Sequence, residues 1–184
     1  MSSIPENLLQ VRSRIAQACT AAGRSPQDVS LLAVSKTCPA EAVREAHAAG
    51  QRDFGENYVQ EALAKIEALA DLRPALCWHL IGPLQSNKTR VVAEAFDWVH
   101  SVDRLKTAQR LSEQRPEGLP PLNICLQVNV SGEASKSGVA PDELPALARA
   151  VAALPRLRLR GLIDRKSTRL NSSHSQQSRM PSSA

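Results

Sequence analysis

Six strand-like apolar runs begin near residues 29, 52, 77, 98, 123 and 157, and a stretch of helical periodicity separates each from the next. This alternation constrains the fold more than any single motif does. Strands separated by helices cannot be joined as hairpins. They must lie parallel and connect through right-handed crossovers. Two architectures satisfy that rule, a doubly wound open sheet and a β/α barrel. A closed barrel takes eight strands and typically ~250 residues, whereas the 184 residues here supply six strands.

Local signals place the elements. Ile4, Leu8, Val11, Ile15 and Ala18 recur at helical spacing, so residues 4–22 form an amphipathic helix stopped by Gly23. Residues 29–36, VSLLAVSK, are too uniformly apolar for a strand with one wet face and fit a strand buried on both faces. Pro39 opens a second helix through Ala49, and Gly50 ends it. Residues 52–55 form the second strand. Asn57 follows as a helix cap, with Gln60 completing an N-x-x-Q variant of the capping box. The helix behind it turns Val59, Ala62, Leu63, Ile66 and Leu69 to one side. Residues 77–82, CWHLIG, are the third strand, and Ser86 or Asn87 caps the next helix. Residues 98–102 are the fourth strand, with Asp103 capping the helix after it. Residues 123–130 are the fifth, and a helix from near Asp142, with Pro145 in its first turn, leads to the sixth at 157–163.

Charge is informative by its distribution. Residues 164–184 hold four of the 23 basic residues and one of the 18 acidic ones, leaving 19 against 17 elsewhere. That balance, with aromatics at 3%, argues against nucleic acid as a partner. The four cysteines, Cys19, Cys38, Cys77 and Cys125, form no C-x-x-C pair, so neither a metal site nor a disulfide framework is expected. No run approaches the ~18 apolar residues of a membrane span, and the amino terminus lacks the parts of a signal peptide. The protein is read as cytoplasmic. The segment 164–184, DRKSTRLNSSHSQQSRMPSSA, has no apolar period and is expected to be a disordered, non-native tail joined to a truncated gene. No role is assigned to His174 or to any serine in it.

Four segments fall at or just after strand ends: residues 35–36, 54–61, 78–88 and 128–138. In a parallel sheet all four open on one face, where α/β folds place their chemistry. Each has an ordinary reading as well. Asn57 can be a cap, His79 a satisfied core histidine, and Gly82 a bend or a close approach to a ligand. Gln85, Asn87 and Lys88 can be a solvated helix start, and Lys136 and Ser137 a surface loop. Among the lysines, Lys36 stands out. Burial at a strand end would lower its pKa and ready it for carbonyl chemistry. The chain has no G-x-G-x-x-G, Walker, H-E-x-x-H or G-x-S-x-G motif.

The stretches LLAVSKTCPA, GQRDFGENYVQEALAKI, WHLIGPLQSNKTR, HSVDRLKTAQRL and QVNVSGEASKSG, with LPRLRLRGL after them, resemble the pyridoxal phosphate homeostasis protein family (YggS/PROSC-like). The resemblance runs from about Ile4 to Leu162. It implies a TIM-type (β/α) barrel similar to the amino-terminal domain of alanine racemase, preceded by an extra helix and incomplete here at about six of eight βα units. Residues 1–163 would be that partial barrel. It implies that Lys36 holds pyridoxal 5'-phosphate as a Schiff base and that Asn57 and His79 belong to the cofactor pocket.

It further implies a non-enzymatic monomer, without catalytic residues, that buffers the cofactor and hands it to pyridoxal-phosphate-dependent apoenzymes. In the family a glycine-serine segment beyond residue 163 binds the phosphate. This chain is therefore expected to lack the phosphate site and to bind weakly. The alternative is a lysine-dependent barrel enzyme, a racemase, decarboxylase or aldolase acting on small amino or keto acids.

Overall fold

The computed structural model describes residues 3–132 and 137–164. The expectations placed on Lys136 and on the tail past Asp164 lie outside these residues.

Six parallel strands form one sheet in the order β1 (Ala33–Val34), β2 (Asp53–Glu56), β3 (Cys77–Leu80), β4 (Trp98–Val102), β5 (Leu122–Val128) and β6 (Leu157–Asp164). Spatial order equals sequence order. A doubly wound sheet reverses its order at a switch point, and this one does not. Of the two architectures left open by the sequence, it is therefore the barrel type, with the sheet unclosed among the described residues. The sheet is strongly curled, since Leu32, just ahead of β1, and Ile163 and Asp164 of β6 line one common pocket.

The helices α1 (Ile4–Ala21), α2 (Ala40–Ala48), α3 (Val59–Ala68), α4 (Thr89–Ala95), α5 (Leu105–Gln114) and α6 (Leu144–Ala152) cover the convex side. The core lies between them and the sheet. Phe54, Trp78, Leu80, Val99, Ile124 and Leu126 from the strands meet Val43, Ala62, Val92, Leu111 and Val151 from the helices. Two buried or half-buried arginines tie this layer together. Arg115 donates to the carbonyls of Ala93 and Phe96 at 2.7 Å each, satisfying the orphaned end of α4. Arg73 pairs with Asp97, whose Oδ2 also accepts the Trp78 N–H at 2.8 Å.

Several local expectations are corrected. The run Val29–Lys36 is not a strand buried on both faces. Only Ala33 and Val34 pair, and Val34 is 51% exposed. β1 is an edge strand with one neighbour among the described residues, so Ala33 packs on the core while Val34, on the other side, is left open. Asn57 is not a helix cap. Tyr58 holds that position in α3 and makes no side-chain cap bond. Asp103 likewise gives way to Arg104 at the start of α5. A 3-10 turn over Ser86–Lys88 runs into α4 without a side-chain cap. A full capping box does occur where none was expected, between Ser3 and Glu6 of α1. The stops at Gly23 and Gly50 are as read, each with positive φ. No described helix is long and apolar enough to cross a membrane.

Candidate functional site

Side chains alternate across the sheet, so residues that do not enter the convex core point into the concavity. The register Val34–Gly55–His79–Trp98 sets the level. On this side lie Asp53, Cys77, His79, Trp98, His100 and Gln127, far more polar than the opposite side of the same strands.

His79 is 7% exposed and both of its ring nitrogens have partners. Nε2 lies 3.2 Å from Asp53 Oδ1 and 3.4 Å from Cys77 Sγ, and Nδ1 lies 3.0 Å from His100 Nε2. Its ring stacks on Trp98 at 5.2 Å and 11°, and Arg160 covers the Trp98 ring from 5.4 Å. Burial lowers the His79 pKa and outweighs the pull of Asp53 in the other direction. Burial, reinforced by His79, brings His100 down to about 4. Both imidazoles are therefore neutral at pH 7, and the contact with Asp53 is a hydrogen bond rather than an ion pair. The carboxylate favours an N–H on Nε2 of His79, which leaves Nδ1 to accept the N–H of His100. Burial, with Asp97 and Asp53 adding to it, pushes the Cys77 thiol up to about 12. Asp53, Cys77 and His79 offer three ligand-type atoms within 4.8 Å of one another, but those atoms already satisfy each other.

Above this cluster, at the carboxyl ends of the strands, is an open pocket of 390 Å³ lined by Leu32, Asn57, Ile81, Gly82, Pro83, His100, Gln127, Ile163 and Asp164. Its walls are mostly apolar, with the carboxamides of Asn57 and Gln127, the His100 imidazole and the Asp164 carboxylate as the polar lining groups, a composition typical of small-molecule sites. Gly82 shapes the mouth. A Cβ there would fall 2.1 Å from the Asn57 carbonyl oxygen, so only glycine lets the two strand ends approach. The close approach suggested for Gly82 is thus to Asn57 backbone. Gln127 is held by a 2.7 Å bond to the Ser137 carbonyl.

The three residues singled out from sequence occupy different places. Asn57 lines the pocket. His79 lies beneath it and touches it through His100. Lys36 is exposed, in the turn after β1, and is not among the lining residues. Two residues past the paired level of Val34, Gly55 and His79, however, come Lys36, Asn57 and Ile81, so Lys36 leaves its strand beside the pocket's own residues. The burial expected of Lys36 is absent because β1 lies at the sheet edge. Next to it, Thr37 has φ +62°, a left-handed backbone that costs a β-branched residue ~1–3 kcal/mol. His100 and Gln127 were missed by the sequence reading. The signal was there, since each lies two residues past an inward-facing position, Trp98 or Cys125, in its strand.

A flat, polar, heteroaromatic aldehyde suits these residues in part. The pocket has the size, the apolar walls and a neighbouring primary amine. Its described lining residues include no lysine or arginine for a phosphate.

The chain matches the family described as alanine racemase, N-terminal domain, over residues 7–174. It is 73% identical over 163 residues to the pyridoxal phosphate homeostasis protein of Pseudomonas aeruginosa, covering 89% of this chain and 70% of that one. It is 60% identical over 164 residues to the protein of that name from Escherichia coli K12, with the same shares covered. Among solved structures it is similar to PipY of Synechococcus elongatus PCC7942 with pyridoxal phosphate bound, at 42% identity and a TM-score of 0.77, covering 95% of this chain and 76% of that one.

Proposed function

Because the chain belongs to the alanine racemase N-terminal domain family and, within it, to the pyridoxal phosphate homeostasis proteins, we propose that it binds pyridoxal 5'-phosphate in the concave pocket and serves to hold and release that cofactor rather than to turn over a substrate. The bound group supplies an aldehyde. Lys36 is the amine that condenses with it, forming a C=N bond and releasing water. Asn57 and His100 line the space in which the ring would lie, and His79 fixes the orientation of His100. Gln127 adds a further polar group on the opposite strand.

The observation that supports this reading is the register that brings Lys36 and Asn57 to corresponding ends of neighbouring strands, with Asn57 lining the pocket; a solved relative with pyridoxal phosphate bound supports the choice of ligand. An exposed amine suits reversible loading and release to a recipient apoenzyme. A carrier needs no acid–base pair, and the two pocket histidines are neutral and engaged with each other. With no described cation lining the pocket, ring and aldehyde carry the binding, and affinity is weak. Four unpaired cysteines fit a reducing, cytoplasmic setting. We take the working form to be a monomer.

The test is borohydride reduction of the full chain loaded with pyridoxal 5'-phosphate, followed by peptide mapping. One label on Lys36, lost in Lys36→Ala, is the expected result. A label of equal yield in Lys36→Ala would overturn the assignment. Steady product formation from amino acids, abolished by the same substitution, would replace the carrier with a lysine-dependent enzyme.

A further inference from the structure

We propose that Lys65 and Glu61 are positioning residues for Lys36, gripping the residues on either side of it and so setting the turn that presents its amine. The inference rests on the role given to Lys36 above.

Lys65 lies on α3, on the helix side of the sheet, and is 5% exposed. Its ammonium has three protons, and three acceptors surround it: Glu56 Oε1 at 2.7 Å, the Ser35 carbonyl at 2.7 Å and Glu61 Oε1 at 3.0 Å. Glu56 is fully buried at the end of β2, and the same Oε1 accepts the Ser35 hydroxyl at 2.5 Å. Glu61 Oε1 also accepts the Thr37 N–H at 2.5 Å. The hydrogen bond from Lys65 keeps the Glu61 carboxyl below its ordinary range, so it stays ionised. One carboxylate–ammonium–carboxylate chain therefore holds the residue before Lys36 through its carbonyl and hydroxyl, and the residue after it through its N–H.

Two further observations say that this arrangement fixes geometry. A buried ion pair gives little net stability over apolar residues of the same volume, and Glu56 Oε2 has no hydrogen-bond partner among the described residues, a cost that a core built for stability would avoid. The strand leading into the turn is two residues long, and Thr37 holds a costly left-handed conformation, restrained by the turn's own Cys38 N–H to Ser35 carbonyl bond and, from outside the turn, by Glu61.

The decisive variant is Glu61→Ala, because Glu61 is partly exposed and its loss leaves the buried Lys65–Glu56 pair intact. Lys65→Met is the stronger variant but strands Glu56 and can unfold the chain. Glu61→Gln keeps an oxygen for the Thr37 N–H and serves as the rescue. Three quantities are read: amide exchange of residues 35–38 in the free protein, the rate at which pyridoxal 5'-phosphate forms a borohydride-reducible adduct at Lys36, and the thermal midpoint.

Glu61→Ala is expected to speed exchange at Thr37 and slow adduct formation by about tenfold each, with the midpoint little changed, and Glu61→Gln to restore both. A label on Lys36 forming at the wild-type rate in Glu61→Ala overturns the positioning role and leaves the carrier reading standing. Absence of label from Lys36 in the wild type overturns both. Unchanged exchange at 35–38 in Glu61→Ala removes the tether whatever the cofactor does.

Discussion

The two sides of one sheet are built to different rules. On the convex side, Phe54, Trp78, Leu80, Val99 and Ile124 are almost wholly buried against helices, with Phe54 and Trp78 in ring contact at 5.9 Å. On the concave side, the residues one position along, Asp53, His79, His100 and Gln127, are polar and hydrogen-bonded to each other or to backbone. Adjacent residues of a single strand thus serve separate ends, packing on one side and, on the proposed function, recognition on the other. Substitutions on the two sides should therefore separate stability from binding.

The largest expected effect is on the convex side. Trp78→Ala should cost roughly 3–5 kcal/mol in urea unfolding through the cavity it leaves. A loss below ~1 kcal/mol would show that the helices close over the gap and that the layer is softer than it looks. Next comes Gly82→Ala at the rim, where the new Cβ meets backbone that cannot yield cheaply. It should cost about 1–3 kcal/mol and also weaken cofactor binding by displacing Asn57, an effect on both counts that neither side alone would give.

Acid should act on the concave side. His79 and His100 take up protons more readily unfolded, near 6.5, than folded, where burial depresses both and holds His100 at about 4. Their contribution is whole above about pH 6.5 and is lost as pH falls toward about 4. It should amount to on the order of 1–2 kcal/mol after allowance for partial exposure, and His100→Phe should flatten that limb of the stability–pH curve. The smallest effect on stability belongs to Lys36→Ala, within ~0.5 kcal/mol because the side chain is exposed, although cofactor trapping disappears. A marked loss of stability there would mean that Lys36 has a packing role.

The sequence made the architecture legible because the alternation of periods two and 3.6 reports element type directly. β4 falls at Trp98–Val102 as read, and Gly23 and Gly50 end their helices with positive φ. It was less informative about neighbours. VSLLAVSK shows how apolar a strand is, but not whether a second strand lies beside it, and the edge position of β1 leaves Val34 and Lys36 exposed. Caps at Asn57 and Asp103 failed for a different reason: each residue type is suited to the role, but the helix begins one residue later and puts Tyr58 or Arg104 there instead. For the site, the strand-end segments pointed to the end of the sheet where the pocket opens, and Asn57 lines that pocket. His100 and Gln127 were overlooked although each opens a stretch that carries the family resemblance, because each lies within a strand rather than just past its end. Lys65 reads as a solvent-facing residue in helical periodicity. Its i,i+4 spacing from Glu61 hinted at a pair, but its burial depends on Glu56 arriving from another element.

The order of the strands also bears on how the molecule comes into being. Each strand pairs with its immediate predecessor, so every rung of the sheet links residues only about 20–35 positions apart. Parallel pairing across a crossover is slow in itself, but none of these rungs needs a distant segment to arrive first. A nascent chain leaving the ribosome can therefore add one βα unit to the last as each emerges, and a damaged unit would stall assembly after it while sparing what was already laid down.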